Sequence, residues 1–368
     1  MNIYICYLMR KITGLDALRA IAVLLVIHAH WGPYGFNTYP NFTAFYKKII
    51  PSGGFAVDFF FVLSGFLITG ILLRSKQETT HENRGQMLKT FIVRRSLRIF
   101  PIYYLCLLLL FIINYQDIRH YIICLATYTS NFVVFSGSYI KSFNHAWSLA
   151  VEEQFYLIWP FVIIFLPDKY LLRVMVFVII ASTIIDGITE NIYGPFSSYL
   201  TFNCFNAFAI GGLYSFALLD KNLHLKLKKI LLYLLPVVVV FYVLALFNIK
   251  TVPTRLTNAI LSINLIIYIA EKKYGRFTAA IVENKLLNSL GKISYGLYLF
   301  HPVIPGFYYY IVDSGVIPMG SSLYHFLHFT IIAEIIHFAI LLAIAYLSYY
   351  LIEANILKLK KRFEYEKG

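Results

Sequence analysis

The sequence predicts an all-α, polytopic membrane bundle of about ten transmembrane helices, and three observations carry that prediction. The 368 residues are 59% hydrophobic and only 14% charged, with a mean hydropathy of +0.69. Water-soluble domains run near a quarter charged. Apolar stretches close to the ~20 residues that cross a bilayer recur to the C-terminus with no soluble domain between them. Lys and Arg, finally, gather on alternate sides of those stretches.

The expected spans are 15–32, 54–73, 99–115, 147–166, 172–188, 202–219, 230–248, 255–271, 293–312 and 325–352. The stretch 118–135 is apolar too, but Tyr, Thr, Ser and Asn interrupt it, so it fits a re-entrant or interfacial segment as well as an eleventh span. Loop charge decides. With both termini inside, the inner pieces carry 25 Lys or Arg against 6 outside (Lys47, Lys48, Arg119, Lys141, Lys250 and Arg255), which is the positive-inside pattern. Counting 118–135 as a span would throw every later basic loop outside. The net charge of +14 is thereby read as membrane topology and not as a nucleic-acid surface. Cys6, Cys106, Cys124 and Cys204 form no metal-ligand spacing and read as reduced packing residues, and no metal is expected. The first apolar run lacks a small-residue cleavage site and carries an arginine and two histidines, so it is expected to remain as a helix. The basic stretch 358–367 reads as a solvated cytoplasmic tail.

Charges inside spans cost at least ~2.5–3.5 kcal/mol on the insertion scale, so each asks for a reason. Arg19 and His30 are 11 residues apart, a separation that places them within ~20° on one helical stripe and ~16 Å along the axis. His28 falls on the opposite face. Asp16, three residues before Arg19, can pair with it. Arg19 could also simply snorkel, and His30 could mark a helix end. Asp58, Glu152 and Glu153 share the outer half of the membrane with His30, where a carboxylate beside an imidazole would fix its tautomer and raise its basicity. A structural ion pair is the plainer alternative. Arg94, Arg95 and Arg98 lie where the third span enters from inside. Topology alone predicts cations there, yet Arg95 and Arg98 share a face and suit a bidentate grip on phosphate.

Together these segments resemble the acyltransferase-3 family of integral membrane acyltransferases, which includes O-antigen and exopolysaccharide O-acetyltransferases. The matching pieces are Leu15-Asp16-x-x-Arg19-x10-His30, Val57-Asp58-x-Phe60-Phe61-Val62-Leu63-Ser64-Gly65-Phe66, Arg95-x-x-Arg98 with Pro101, and Trp147-Ser148-Leu149-x-Val151-Glu152-Glu153-Gln154-Phe155-Tyr156. Leu290-Gly291-Lys292-Ile293-Ser294-Tyr295-Gly296-Leu297-Tyr298-Leu299-Phe300-His301-Pro302 and Leu351-Ile352-Glu353 follow. The resemblance covers nearly the whole chain in order, and implies one membrane acyltransferase domain over 1–368 without an appended extracytoplasmic domain.

It further implies an acyl-CoA donor on the cytoplasmic side, most simply acetyl-CoA, and an acceptor hydroxyl on a cell-surface or lipid-linked carbohydrate. Arg19 and His30 are then expected at the catalytic centre, with Glu153 or Asp58 orienting the imidazole. Arg95 and Arg98, with Arg19, would bind the donor's phosphates. His145, Ser294, Tyr295 and His301 match family positions expected to bind substrate. The expected location is the plasma membrane. A lipid-linked sugar flippase or secondary transporter is the alternative from another class, but no inverted repeat is evident, and the Arg-rich motif has no obvious role in a proton-driven carrier.

Overall fold

The computed structural model describes residues 12, 14–32, 52–80, 83–141, 143–247, 253–272, 274–315 and 317–363. Cys6, Lys47, Lys48 and Lys250, the N-terminal residues 1–11 and the last residues of the basic tail lie outside them. The described residues are helices and short turns. In chain order the first eight helices are α1 Leu15–Trp31, α2 Gly53–Glu78, α3 Arg84–Ile112, α4 Ile118–Ala126, α5 Ser130–Phe135, α6 Ala146–Phe165, α7 Asp168–Tyr193 and α8 Thr201–Ala217. Then come α9 Lys221–Leu246, α10 Thr254–Ala270, α11 Arg276–Val282, α12 Lys285–Lys292, α13 Ser294–Phe300, α14 Val303–Val312, α15 Ser322–His328, α16 Thr330–Leu347 and α17 Ala354–Lys358.

Among the described residues, six helical stretches are long and apolar enough to cross a membrane: α2, α3, α6, α7 with its following turn, α9, and the stretch from Ile331 to Lys358. The expected count of about ten is not reached by helices of that length, and would need shorter pieces as well. The helices α1 and α8 have 17 residues each, and α10 and α14 are short apolar helices. The expected span 293–312 is broken. Helix α13 stops at Phe300 and α14 restarts at Val303 because Pro302 has no backbone N–H to continue the ladder.

The stretch 118–135 does not form one spanning helix. It folds into α4 and α5, joined through Tyr128 at φ 52°. The polar residues that interrupt its sequence anchor it. Gln154 Nε2 of α6 donates to Tyr128 O at 2.7 Å and to Asn131 Oδ1 at 3.0 Å, and Asn131 Nδ2 donates to Thr201 Oγ1 at 3.1 Å.

Helix α2 is the axis of the bundle: 78% of its spanning window is buried, against 11% for α9, which leaves α9 at the rim. Two glycines bring α2 and α8 into backbone contact. A Cβ at Gly65 would stand 1.9 Å from Phe208 O, and one at Gly211 would stand 2.0 Å from Val62 O. Phe208 then stacks between Phe61 and Phe155, with ring centroids at 4.6 and 4.0 Å. On the other side, Asp58 accepts from Arg255 Nε at 2.9 Å and Asn258 Nδ2 at 2.8 Å, tying α2 to α10. Arg255, counted among the outer-loop cations, is therefore a buried ion-pair partner. Cys106 and Cys204 are buried thiols and Cys124 is half-buried, all three unoxidised.

Candidate active site

Five helices, α1, α2, α3, α6 and α13, bring polar side chains to one cavity of roughly 920 Å³, part of which is open to the surroundings. From α1 comes Arg19, whose Nη1 donates to Asp16 Oδ1 at 2.7 Å, the i,i+3 pair expected from spacing. From α3 come Arg95 and Arg98. The Arg95 guanidinium lies 5.3 Å from the Tyr156 ring centroid and 5.7 Å from that of Phe91, so two aromatic faces hold it by cation–π contact. Three guanidinium groups thus define one end of the cavity.

A hydroxyl and carboxylate wall follows. Ser64 of α2 donates to Glu152 Oε1 at 2.5 Å, Tyr156 donates to the same oxygen, and the two hydroxyls lie 3.3 Å apart. Glu153 is buried on the same wall with Oε1 unbonded in the described structure. Helix α13 contributes Ser294, Tyr295 and Tyr298. Tyr295 OH donates to Ile99 O at 3.2 Å. The Tyr298 and Ser148 hydroxyls are 2.5 Å apart, and both donate to His145 O, at 3.3 and 3.1 Å.

Beyond Tyr298 the chemistry changes to imidazole. The ring of Tyr298 meets those of His145 at 5.4 Å and His301 at 5.7 Å. His301 packs edge-on against His145 at 5.1 Å and His30 at 4.9 Å. Its Nδ1 is 2.7 Å from Tyr298 O, while Nε2 is buried without a hydrogen bond. Trp31 Nε1 donates to His301 O at 2.9 Å and fixes α1 against the α13–α14 break. His30 is exposed, and its Nδ1 lies 2.9 Å from Val26 O. With that carbonyl taking the Nδ1 proton, the other nitrogen keeps a lone pair for accepting a proton. Among the described residues no group of three His, Cys, Asp or Glu side chains is placed to hold a metal ion.

The expected residues therefore divide into three sets. Arg19, Arg95, Arg98, Glu153, Ser294 and Tyr295 share the cavity, and His30, His145 and His301 share the imidazole cluster beside it. Asp58 belongs to neither. Its carboxylate is occupied by Arg255 and Asn258, so it does not orient His30. Glu153 is not hydrogen-bonded to His30 either, and the orienting acceptor is the backbone carbonyl of Val26. Ser64, Tyr156 and Tyr298 reach the site beyond the residues expected there, as does Glu152, expected only as a carboxylate at the depth of His30. Signals for them existed: Tyr156 stands i+4 from Glu152, and Tyr298 stands i+3 from Tyr295.

Such a bundle, with a guanidinium-lined cavity beside a cluster of histidines, is that of an integral membrane protein. The family described as "Acyltransferase domain" matches residues 12–354, nearly the whole chain, and the protein belongs to that acyltransferase-3 family. It is similar to the peptidoglycan O-acetyltransferase OatA of Listeria monocytogenes, 36% identical over 191 residues that make up 46% of this chain and 28% of that one. A Staphylococcus aureus protein provisionally named an O-acetyltransferase is 36% identical over 170 residues, 42% of this chain and 25% of its own length. A Bacillus subtilis protein, YrhL, provisionally named a peptidoglycan O-acetyltransferase, is 38% identical over 167 residues, 41% and 23% of the two chains. The matches thus span about a quarter of each curated relative. No solved structure matches the chain significantly.

Proposed function

We propose that the protein transfers an acyl group, most simply acetyl, from acyl-CoA on the cytoplasmic side of the plasma membrane to a hydroxyl of a cell-surface glycan. The names of the similar proteins favour a peptidoglycan-type acceptor over O-antigen, capsule or exopolysaccharide. One observation carries the reading: three guanidiniums open onto a cavity whose far wall, at Tyr298, touches the cluster of His30, His145 and His301. In this orientation both termini are cytoplasmic.

Arg19, Arg95 and Arg98 bind the phosphates of the donor, where planar paired donors are strongest. The pantetheine arm lies along Ser64, Glu152, Glu153 and Tyr156, whose polar atoms can meet its amides. The ~16 Å rise from Arg19 to His30 is of the order of that arm. His30 Nε2 takes the proton of the acceptor hydroxyl as its oxygen attacks the thioester carbonyl. Collapse of the tetrahedral intermediate releases the CoA thiolate, which takes up a proton, and leaves the acyl ester on the glycan. His145, His301, Ser294 and Tyr295 position the reactants around this path.

The test is acyl transfer by the full chain in liposomes from labelled acetyl-CoA to peptidoglycan fragments. Label should appear as alkali-labile ester and vanish in His30→Ala. Transport of a glycan precursor without ester formation would overturn the reading. A second arm omits acceptor: a protein-bound label that disappears in His30→Ala would establish an acyl-histidine relay in place of direct transfer.

A further inference from the structure

The basic end of the chain is not a solvated tail throughout. Helix α16 runs into a π-helical turn, Ser348–Glu353, and this turn, α17 and the final turn Leu359–Arg362 pack along α3. Arg94 Nη1 donates to Phe363 O at 2.8 Å, fastening the final turn to the helix that also carries Arg95 and Arg98. Lys360 is half-buried on that turn. Burial, then the fields of Arg98, Arg95 and Arg94, hold its ammonium down to about 7. The acid on the same segment, Glu353, is buried, faces Arg98 and already accepts from Ser348 Oγ at 3.0 Å. Arg98 is exposed and also lines the cavity, and Lys360, on a turn packed against the same helix and within the field of Arg98, lies beside that arginine.

Packing a lysine into the field of three arginines is electrostatically unfavourable in isolation, and a multiply charged anion at that place reverses the sign. Acyl-CoA carries two separate phosphate groups, a diphosphate and a ribose monophosphate. We propose that Lys360 is a further donor-binding residue, forming with Arg94 and Arg98 an outer phosphate subsite for the ribose monophosphate while Arg19 and Arg95 hold the diphosphate inside. This assignment rests on the acyl-CoA reading above. The C-terminal turn is then one wall of the donor site, and its lysine a determinant of preference for the phosphorylated cofactor form.

The experiment compares acetyl-CoA with 3′-dephospho-acetyl-CoA binding to the purified full chain in detergent. Lys360→Gln should weaken acetyl-CoA about tenfold, leave 3′-dephospho-acetyl-CoA unchanged, and lose its effect as salt is raised. Lys360→Arg should restore binding. Equal weakening of both ligands, or of neither, overturns the inference while leaving the donor site at Arg19 and Arg95 intact. Absence of binding by the unaltered protein overturns the donor reading and this assignment together.

Discussion

Replacing Arg95 by lysine separates a phosphate grip from a topological signal, because lysine orients a helix as well as arginine does. The Arg95 guanidinium lies 5.3 Å from the Tyr156 ring centroid and 5.7 Å from that of Phe91, and Arg95 lines the cavity. Lysine keeps the charge but loses the planar fork and the stacking of a flat group on two rings. Losing one charge-assisted hydrogen bond costs about 1.5 kcal/mol at the low end, and the weakened ring contact adds about 0.5 kcal/mol. The sum of about 2 kcal/mol corresponds to a roughly 30-fold loss of acyl-CoA affinity. Equilibrium binding of labelled acetyl-CoA to purified protein reads this directly, and a topology reporter placed between α2 and α3 should not move. Unchanged binding in Arg95→Lys and Arg98→Lys would refute the phosphate role and return both residues to topology.

Four further outcomes are expected. His30→Ala should abolish acyl transfer with insertion intact, whereas His28→Ala should keep most of it, since the imidazole cluster is built from His30, His145 and His301; equal loss in both sinks the single-stripe assignment. Gly65→Ala should lower thermal stability in detergent by about 1–3 kcal/mol of overpacking, since its Cβ would stand 1.9 Å from Phe208 O, while Gly85→Ala, with nothing within 4 Å, should be neutral or mildly stabilising. Asp58→Asn should impair folding more than the catalytic constant of the protein that survives, because it strands Arg255. Donor affinity should fall as pH rises from 7 to 9: Lys360, at about 7 in the field of Arg98, Arg95 and Arg94, with Glu353 of the same segment facing Arg98, is charged below that range and must take up a proton to meet phosphate above it. The ribose phosphate, with its second pKa near 6, is already fully charged over this window. A slope that persists in Lys360→Gln would refute that origin.

Arg19, Arg95 and Arg98 were legible in the sequence because their spacing and their depth in apolar stretches leave few explanations. The histidines were legible one by one but not as a cluster, since His30, His145 and His301 come from separate segments and meet only through tertiary packing. Asp58 shows the limit most clearly. Hydropathy placed a carboxylate at the depth of His30, but only the fold reveals that Arg255, 197 positions away, had already claimed it. Of the two adjacent carboxylates the resemblance favours Glu153, yet both reach the cavity. The break at His301-Pro302 was written in the proline, but a hydropathy window averages across it. Residues 359–363 read as solvent-facing by composition, and the π-helical turn that brings them onto α3 leaves no sequence signal.

On the proposed reading, in which donor and acceptor approach from opposite sides of a membrane, the packing of α2 bears on how they meet. A secondary transporter carries its site between two halves that rock against each other. Here α2 is locked to α8 by backbone contact at Gly65 and Gly211, and to α10 by the Asp58–Arg255–Asn258 cluster. Moving α2 against either neighbour would break a glycine-tight contact or strand a buried charge, a cost of several kcal/mol. Trp31, bonded to the carbonyl of His301, holds α1 to the α13–α14 break in the same way. With the wall fixed, reach has to come from the substrate. The long, flexible, phosphate-anchored donor proposed above would supply it, and a cavity with guanidiniums at one end and imidazoles near the other is the complementary shape. That complementarity is what a rigid transferase requires and what a carrier, which must release its cargo by moving, would have to give up.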